Sequence, residues 1–513
     1  MTLKNASRTK KAGRNVVAGY ANRIILTILE FIRRTVFIRI LGENLLGING
    51  VFTNIIQIFS LAELGLNNVV SYSFYKPLAE NDAQKISALI CFYRRIYNVI
   101  ALVVLGIGLC LFPFVPYIIR TDVQVPHVNL IYLVFLTDTV LSYLFVYKTS
   151  ILNADQKGYI YSLYVIVANI CRVSLQVAGL FIFKNIFVYL ITNVIVNFGT
   201  NFLLSHRTDK EYPYMNSARE KKDGTELSKI EKQELAQTIK SGFIYKHSAI
   251  LLNSTDNILV SVLVGTVWVG YLANYETIYV GLASFYTILF TSLTPSVGNL
   301  LEAESKSRCK QVFQLMSYIS SWMAVVFSVC FFCLSQEFIN LWLGARFVLD
   351  EATVFCKTCI IFLSCSMQPV FSFREAAGLY KKTKWMIFAA AVLNIFLSVI
   401  FGMLWQTSGI IGASVISMLV TYCWYEPKVL FKDYFDSSAS TYFLRRAFDA
   451  MVFFILSFVF SYLSSLWKAS NFLFWFLKAA AMFVFVNIAC FLCYFHFPEF
   501  KISVERFKGG LKK

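Results

Sequence analysis

Charge is scarce in this chain. Only 15% of its 513 residues are Asp, Glu, Lys or Arg, against about a quarter in soluble domains. With 57% hydrophobic residues and a mean hydropathy of +0.62, a water-soluble globular class is excluded and a polytopic membrane protein is expected. Histidine is scarcer still. His127, His206, His247 and His496 all fall near the ends of apolar runs, so no serine or cysteine triad can be built on them. No small-residue cleavage site follows the basic start Lys4, Arg8, Lys10, Lys11 and Arg14, so the first apolar segment reads as a retained helix rather than a removable signal. Paired metal-ligand spacing is also missing. Three C-x-x-C pairs, Cys330/Cys333, Cys356/Cys359 and Cys490/Cys493, lie in or at the ends of apolar spans without histidine partners, and read as packing residues; no metal site is expected.

What the chain has is apolar length. Windows of about 20 residues predict spans near 14–41, 48–75, 96–119, 127–150, 159–181 and 185–204, then near 242–264, 268–300, 312–334, 352–377, 385–404, 408–425, 447–466 and 471–496. About fourteen transmembrane helices are expected. The polar break His206–Lys240 separates six spans from the rest. The predicted organisation is therefore a lobe over 1–205, a cytoplasmic linker over 206–240, a second lobe over 241–435, and two extra helices with a basic tail over 436–513.

Lysine and arginine are unevenly shared between the loops. With a cytoplasmic N-terminus the inner segments hold 35 of them, whereas the outer loops hold only Arg120, Lys184, Arg346 and Lys468. This bias places both termini in the cytoplasm. It also accounts for the net charge of +18 without a nucleic-acid partner, most of the excess marking the cytoplasmic face.

The chain partly repeats itself. A shift of 223 residues superposes Gly19, Gly42 and Gly47 on Gly242, Gly265 and Gly270, so that ILGxxxxG matches LVGxxxxG; a shift of 225 lays Asn169-Ile170 on Asn394-Ile395. Two pseudo-symmetric six-helix lobes are the expected result, with substrate held at their interface.

Against this apolar background, ionisable residues deep in the spans stand out: Glu30, Arg33 and Arg34 in the first, Glu63 in the second, Asp138 in the fourth, Arg172 in the fifth, Asp256 in the seventh and Glu276 in the eighth. An ionised group at the bilayer centre costs about 2.5–3.5 kcal/mol even on the lenient insertion scale, so such groups face protein or water. At 100° per residue, Arg23, Thr27, Glu30 and Arg34 share one narrow stripe of the first helix, with Arg33 beside it,. Glu30 and Arg34, at i and i+4, are positioned to pair. Lys478 lies near the outer end of the last span and is expected to snorkel. The set admits two readings: salt bridges tying the bundle together, or a hydrated cavity whose arginines meet an anion through the guanidinium fork and whose carboxylates serve proton or sodium coupling.

Several stretches resemble a known family. LGENLLGINGVFTNIIQIFSLAELGLNNVVSYSFYKPLAEND (41–82), TDNILVSVLVGTVWVGYLANY (255–275), SLTPSVGNL (292–300), FREAAGL (373–379) and WYEPKVL (424–430) resemble, in order and over nearly the whole chain, the bacterial oligosaccharide and polysaccharide flippases, the Wzx-type branch of the MOP exporter superfamily. The resemblance implies a MATE-like two-lobed bundle in the bacterial inner membrane. Such a bundle alternates between inward- and outward-open states and translocates an undecaprenyl-pyrophosphate-linked oligosaccharide for O-antigen, capsule or exopolysaccharide synthesis. It further implies an ion gradient as the drive, no cofactor, and polysaccharide polymerase machinery as a partner. Arg33, Arg34 and Arg172 are then the candidate anion positions, and Glu30, Glu63, Asp138, Asp256 and Glu276 the candidate coupling or cavity charges. Arg374 and Glu375 are a candidate gate. The cation site of sodium-coupled relatives does not carry over, because the eleventh and twelfth spans contain no acid. Rival readings are a small-molecule or multidrug cation antiporter of the same superfamily, and a membrane-embedded glycosyltransferase or polysaccharide polymerase. An enzyme would need a sizeable outer loop, and the longest, near 335–351, is short.

Overall fold

The computed structural model describes residues 25–59, 82–120, 125–155, 157–213 and 254–500, with isolated positions at 73–74, 77–78, 80, 233 and 502. Helices account for nearly all of them. In chain order these are α1 (25–41), α2 (Glu43–Phe59), α3 (Ala83–Leu111, extended by short turns to Ile118), α4 (Val128–Ala154), α5 (Gly158–Phe183) and α6 (Ile186–Glu211). They continue with α7 (254–263), α8 (Thr266–Ala303), α9 (Lys306–Leu343), α10 (Glu351–Ser366), α11 (Gln368–Ala376), α12 (Tyr380–Val420), α13 (Tyr422–Asp433), α14 (Ser440–Leu466) and α15 (Phe472–Tyr494).

Short polar residues set where these helices begin. Asp82 caps α3 by accepting from the Lys85 amide at 2.9 Å, Asn185 caps α6 through Phe187 at 2.8 Å, Asp350 caps α10 through Thr353 at 2.8 Å, and Asn471 caps α15 through Phe474 at 3.0 Å. Each satisfies an amide that the helix itself leaves without a partner. Among the described residues ten helical segments are long and apolar enough to cross a membrane. One of them, 382–433, is double. At Trp405 (φ −126°, ψ 16°) and Gln406 (φ 53°, ψ −130°) the helical conformation breaks, between the two spans expected at 385–404 and 408–425. The all-helical, multi-pass class is thus observed, and α6 runs on to Glu211, inside the polar break.

The chain divides into two compact units, one over residues 28–270 and the other holding residues 25–27 and those from 271 onward. In the first, α4 packs on α3, α5 and α6, and α2 packs on α4. The C-terminal end of α7 is anchored in the same unit. Ser261 donates to the Ile118 carbonyl at 2.7 Å, the Arg120 amide donates to Thr266 Oγ1 at 2.9 Å, and the Thr266 amide donates back to the Arg120 carbonyl at 2.8 Å. In the second unit α9 is the hub, packing against α10, α14 and α15.

The 223-residue repeat has a geometric counterpart. Gly42 (φ +85°) and Gly265 (φ +147°) both take the left-handed conformation that glycine allows without strain, and each opens a turn into the next helix. Beyond them the starts of α2 and α8 touch. A Cβ on Gly47 would lie 2.1 Å from the Thr266 carbonyl oxygen, and one on Gly270 would lie 3.4 Å from that of Glu43. Positions 43 and 47 correspond to 266 and 270 under the shift. The contact therefore exchanges equivalent residues, the signature of a two-fold relation.

Candidate functional site

Three helices of the first unit carry five of the ionisable residues singled out in its sequence. Glu30, Arg33 and Arg34 lie on α1, Asp138 at the middle of α4 and Arg172 at the middle of α5; all five are half-buried. Helix α6 completes the group with Tyr189, Asn193 and Asn197, one stripe at helical spacing. Phe37 packs edge-on against Tyr189 at 4.9 Å between ring centroids, which seats α1 on α6.

Within this group Arg33 donates to Glu30. The expected i, i+4 partnership of Glu30 with Arg34 gives way to i, i+3, because Arg33 is the one whose Nη2 reaches the carboxylate. Asp138 is held across the bundle: Asn193 donates to its Oδ2 at 2.8 Å, and Asn197 to Oδ1 at 3.1 Å and Oδ2 at 3.0 Å. Electrostatic interaction joins Arg172 to Arg33, Asp138, Tyr189 and Glu30, and joins Glu30 to Arg34. The set is one cluster.

Three guanidiniums and two carboxylates gather here among the described residues, and both carboxylates are already engaged. The Nε of Arg172 is enclosed without a hydrogen-bond acceptor among the described residues. A buried cationic donor left in this state costs free energy unless an anion meets it, so the arrangement suits an anionic group such as a phosphate.

The remaining sequence candidates lie elsewhere. Glu63 falls outside the described residues. Asp256 is buried at 8% exposure on α7, whose Ser254 reaches Gln57 of α2 at 3.5 Å. Glu276, in the second unit, forms an ion pair at 2.5 Å with Lys357 of α10, and Lys357 sits 4.8 Å over the Tyr279 ring. Arg374 and Glu375 differ in burial: Glu375 is exposed and stands 3.5 Å from Arg374 Nη2, while Arg374 is buried and its Nη1 donates to both oxygens of Glu426 at 2.6 and 2.7 Å. This pair joins FREAAGL to WYEPKVL, bracing α11 on α13. Lys478 does not snorkel. It is buried, donating to Glu337 at 2.7 Å and to the Ser464 carbonyl at 3.0 Å, because α14 and α9 cover it and supply the acceptors.

Asn193, Asn197 and Lys357 were missed by reasoning from charge in mid-span. The two asparagines are neutral, and Lys357 lies within two turns of a predicted span end. The stripe Tyr189, Asn193, Asn197 at i, i+4 and i+8 was the readable signal. Among the described residues no group of three or more His, Cys, Asp or Glu gathers as a metal site would require.

No protein-family model and no curated protein matches the sequence. Solved structures do. The lipid II flippase MurJ in an inward closed conformation superposes with a TM-score of 0.65 at 16% identity, over 93% of this chain and 99% of that one. The fold is that of the MurJ and MATE transporters. The MATE multidrug transporter DinF-BH matches with a TM-score of 0.62 at 12% identity, over 82% of this chain and 95% of that one. VcmN, a MATE transporter of Vibrio cholerae, matches in its bent form at 0.54 and 11% identity, over 84% and 98%. At such identities the likeness is one of fold, and the two-lobed MATE-like class expected from the spans is the class found.

Proposed function

We propose that this chain is a flippase carrying an undecaprenyl-pyrophosphate-linked oligosaccharide across the bacterial inner membrane, for O-antigen, capsule or exopolysaccharide synthesis. The observation that carries the reading is the Nε of Arg172, enclosed within the cluster without an acceptor among the described residues. Ionised groups that their own unit leaves half-covered do not rest in hydrocarbon; they face water, protein or a ligand. The MurJ likeness, which spans more of the chain than the MATE likenesses, supports a lipid-linked cargo over a small cation. So do the three guanidiniums gathered there, a group suited to an anion rather than to a cation.

In this reading Arg33, Arg34 and Arg172 take the pyrophosphate by the two-point geometry that guanidinium offers to phosphate oxygens. The polyprenyl tail stays in the bilayer and the sugars follow through the water-filled path. Asp138, held by two amides, and Glu30, held by Arg33, keep the arginines from collapsing onto the same carboxylate. Movement requires a ligand with different affinity for two states. Proton or sodium binding at Glu30, Glu63, Asp138, Asp256 or Glu276 supplies it; at Glu276, neutralisation would release Lys357. Arg374, fastened to Glu426, anchors a gate at which the exposed Glu375 acts; both termini lie in the cytoplasm, and the product passes to polysaccharide polymerase machinery.

Vesicle flipping of a lipid-linked oligosaccharide tests the assignment. Each of Arg33→Ala and Arg172→Ala is expected to weaken cargo binding about tenfold to a hundredfold, the worth of one or two charge-assisted contacts. Wild-type flipping by both variants, inserted at normal levels, would refute the anion site.

A further inference from the structure

In the second unit the first turns of α9, the first turns of α14 and the chain just past α15 meet at one end of the bundle. They enclose a cavity of about 160 Å³ whose wall includes Lys310, Arg445, Arg446 and Glu499. On the wall three cations meet one carboxylate, and Asp449 behind it pairs with Arg446.

Hydrogen bonding leaves much of that charge unspent. Lys310 Nζ donates to Ser437 Oγ at 3.1 Å. Arg445 Nη1 donates to Glu499 at 3.0 Å with the guanidinium 4.0 Å from the Phe497 ring centroid, yet its Nε and Nη2 are enclosed without an acceptor among the described residues. Arg446 Nη2 donates to the Ser317 carbonyl at 3.1 Å. Its Nε and Nη1 find no hydrogen-bond acceptor there, Nη1 standing 3.4 Å from Asp449. The Asp449 oxygens are taken by Ser321 at 2.7 Å and Tyr494 at 2.9 Å.

Three enclosed guanidinium nitrogens without an acceptor among the described residues, Nε and Nη2 of Arg445 and Nε of Arg446, beside a cationic wall suit an anion with several oxygens. The cavity suits a group the size of phosphate rather than a sugar. Its place at helix ends is the level at which phosphates of a bilayer lie, and basic pockets between helices bind such headgroups. We propose that this cavity is a phosphate-binding site, filled by the headgroup of an anionic membrane lipid or by free phosphate. It lies within the second unit, involves none of the cluster on α1, α4, α5 and α6, and does not depend on the flippase reading.

Thermal unfolding of the purified full chain, titrated with dioctanoyl phosphatidylglycerol, dioctanoyl phosphatidylcholine or sodium phosphate, reads the site. A saturable rise in Tm is expected with phosphatidylglycerol and not with phosphatidylcholine if a lipid is the source, and with phosphate alone if it is free. Lys310→Gln, which leaves the Arg445–Glu499 pair intact, is expected to weaken binding about tenfold. Glu499→Gln, which removes the competing negative charge while keeping an acceptor for Arg445, is expected to tighten it. A merely structural role for these residues predicts no tightening. No saturable shift with phosphatidylglycerol or phosphate, or unchanged midpoints in both variants, would overturn the proposal.

Discussion

Both units carry ionised groups within their apolar helices, and two arrangements of them contrast. In the second unit Arg374 and Glu426 retain 3% and 0% of their side-chain exposure, and Lys478 and Glu337 retain 3% and 18%; each cation meets a carboxylate supplied by another helix. In the first unit Arg33 and Glu30 retain 24% and 35%, the pair is local to α1, and Arg172 lies within 4 Å of no carboxylate among the described residues. A sealed, balanced pair ties helices together. A half-covered cluster with an enclosed donor that lacks an acceptor, as at Arg172 Nε, keeps capacity for something outside the chain. Charge within apolar helices is common to both regions, so its presence alone does not separate structure from function; pairing and enclosure do.

The largest effect expected from this contrast belongs to the sealed side. Arg374→Ala strands the Glu426 carboxylate in an apolar interior and should cost about 3–5 kcal/mol, seen as a fall in Tm of the purified protein. Replacing both partners, Arg374→Met with Glu426→Leu, should restore most of that loss, since no charge is then left without a partner. A smaller loss tests whether the first unit is simply tolerant. Gly47→Ala drives a Cβ to 2.1 Å from the Thr266 carbonyl oxygen and should cost about 1–3 kcal/mol of overpacking. Gly106→Ala, inside α3 with nothing within 4 Å of the new atom, should instead leave Tm unchanged or raise it, by up to about 1 kcal/mol.

Smaller again is the expected stability effect of Arg172→Ala, within about 1 kcal/mol of wild type, because Asp138 keeps its two asparagine donors. Transport should nevertheless fail in the vesicle assay. Were Arg172→Ala to unfold the protein while Arg374→Ala left it intact, the contrast between the units would be reversed.

The least effect is expected outside the bilayer, at the turn between α4 and α5. Burial there raises the Asp155 pKa, but Lys157 and the Tyr212 hydroxyl more than offset it and hold the carboxyl below its ordinary value. The hydroxyl donates to Asp155 at 2.6 Å and Lys157 stands 2.8 Å away. A lowered folded pKa contributes stability above the unfolded value, about 3.9, and loses it as pH falls through the folded one. The Tm gap between wild type and Asp155→Asn should therefore be present at pH 7 and close in acid below about pH 4. At this half-buried, solvent-screened position it should amount to less than about 1 kcal/mol.

Much of the fold was legible in the residues. The apolar runs gave the helices, including the break at Trp405 and Gln406 inside what is otherwise one 41-residue helix. The repeat of Gly42 and Gly47 at Gly265 and Gly270 marked both a left-handed turn and a close approach. The site was legible only in part. Glu30, Arg33, Arg34, Asp138 and Arg172 were readable because a charge in a hydrophobic run is conspicuous. Asn193 and Asn197 were not, since an amide barely interrupts such a run. Lys478 was misread as snorkelling because nothing local signals that Glu337, 141 positions away, waits beside it.

The sequence by itself determined where the charges stand along the membrane normal, because the cost of taking an ion out of water depends on the ion and its depth. Only the tertiary structure decided which of those costs are offset within the chain. Hydrogen bonds form only within about 3.5 Å and Coulomb energy weakens with separation, and which groups come close is set by how helices far apart in sequence pack. That is why Arg374 and Lys478 proved to be internal fastenings, whereas Arg172 still has a donor to offer.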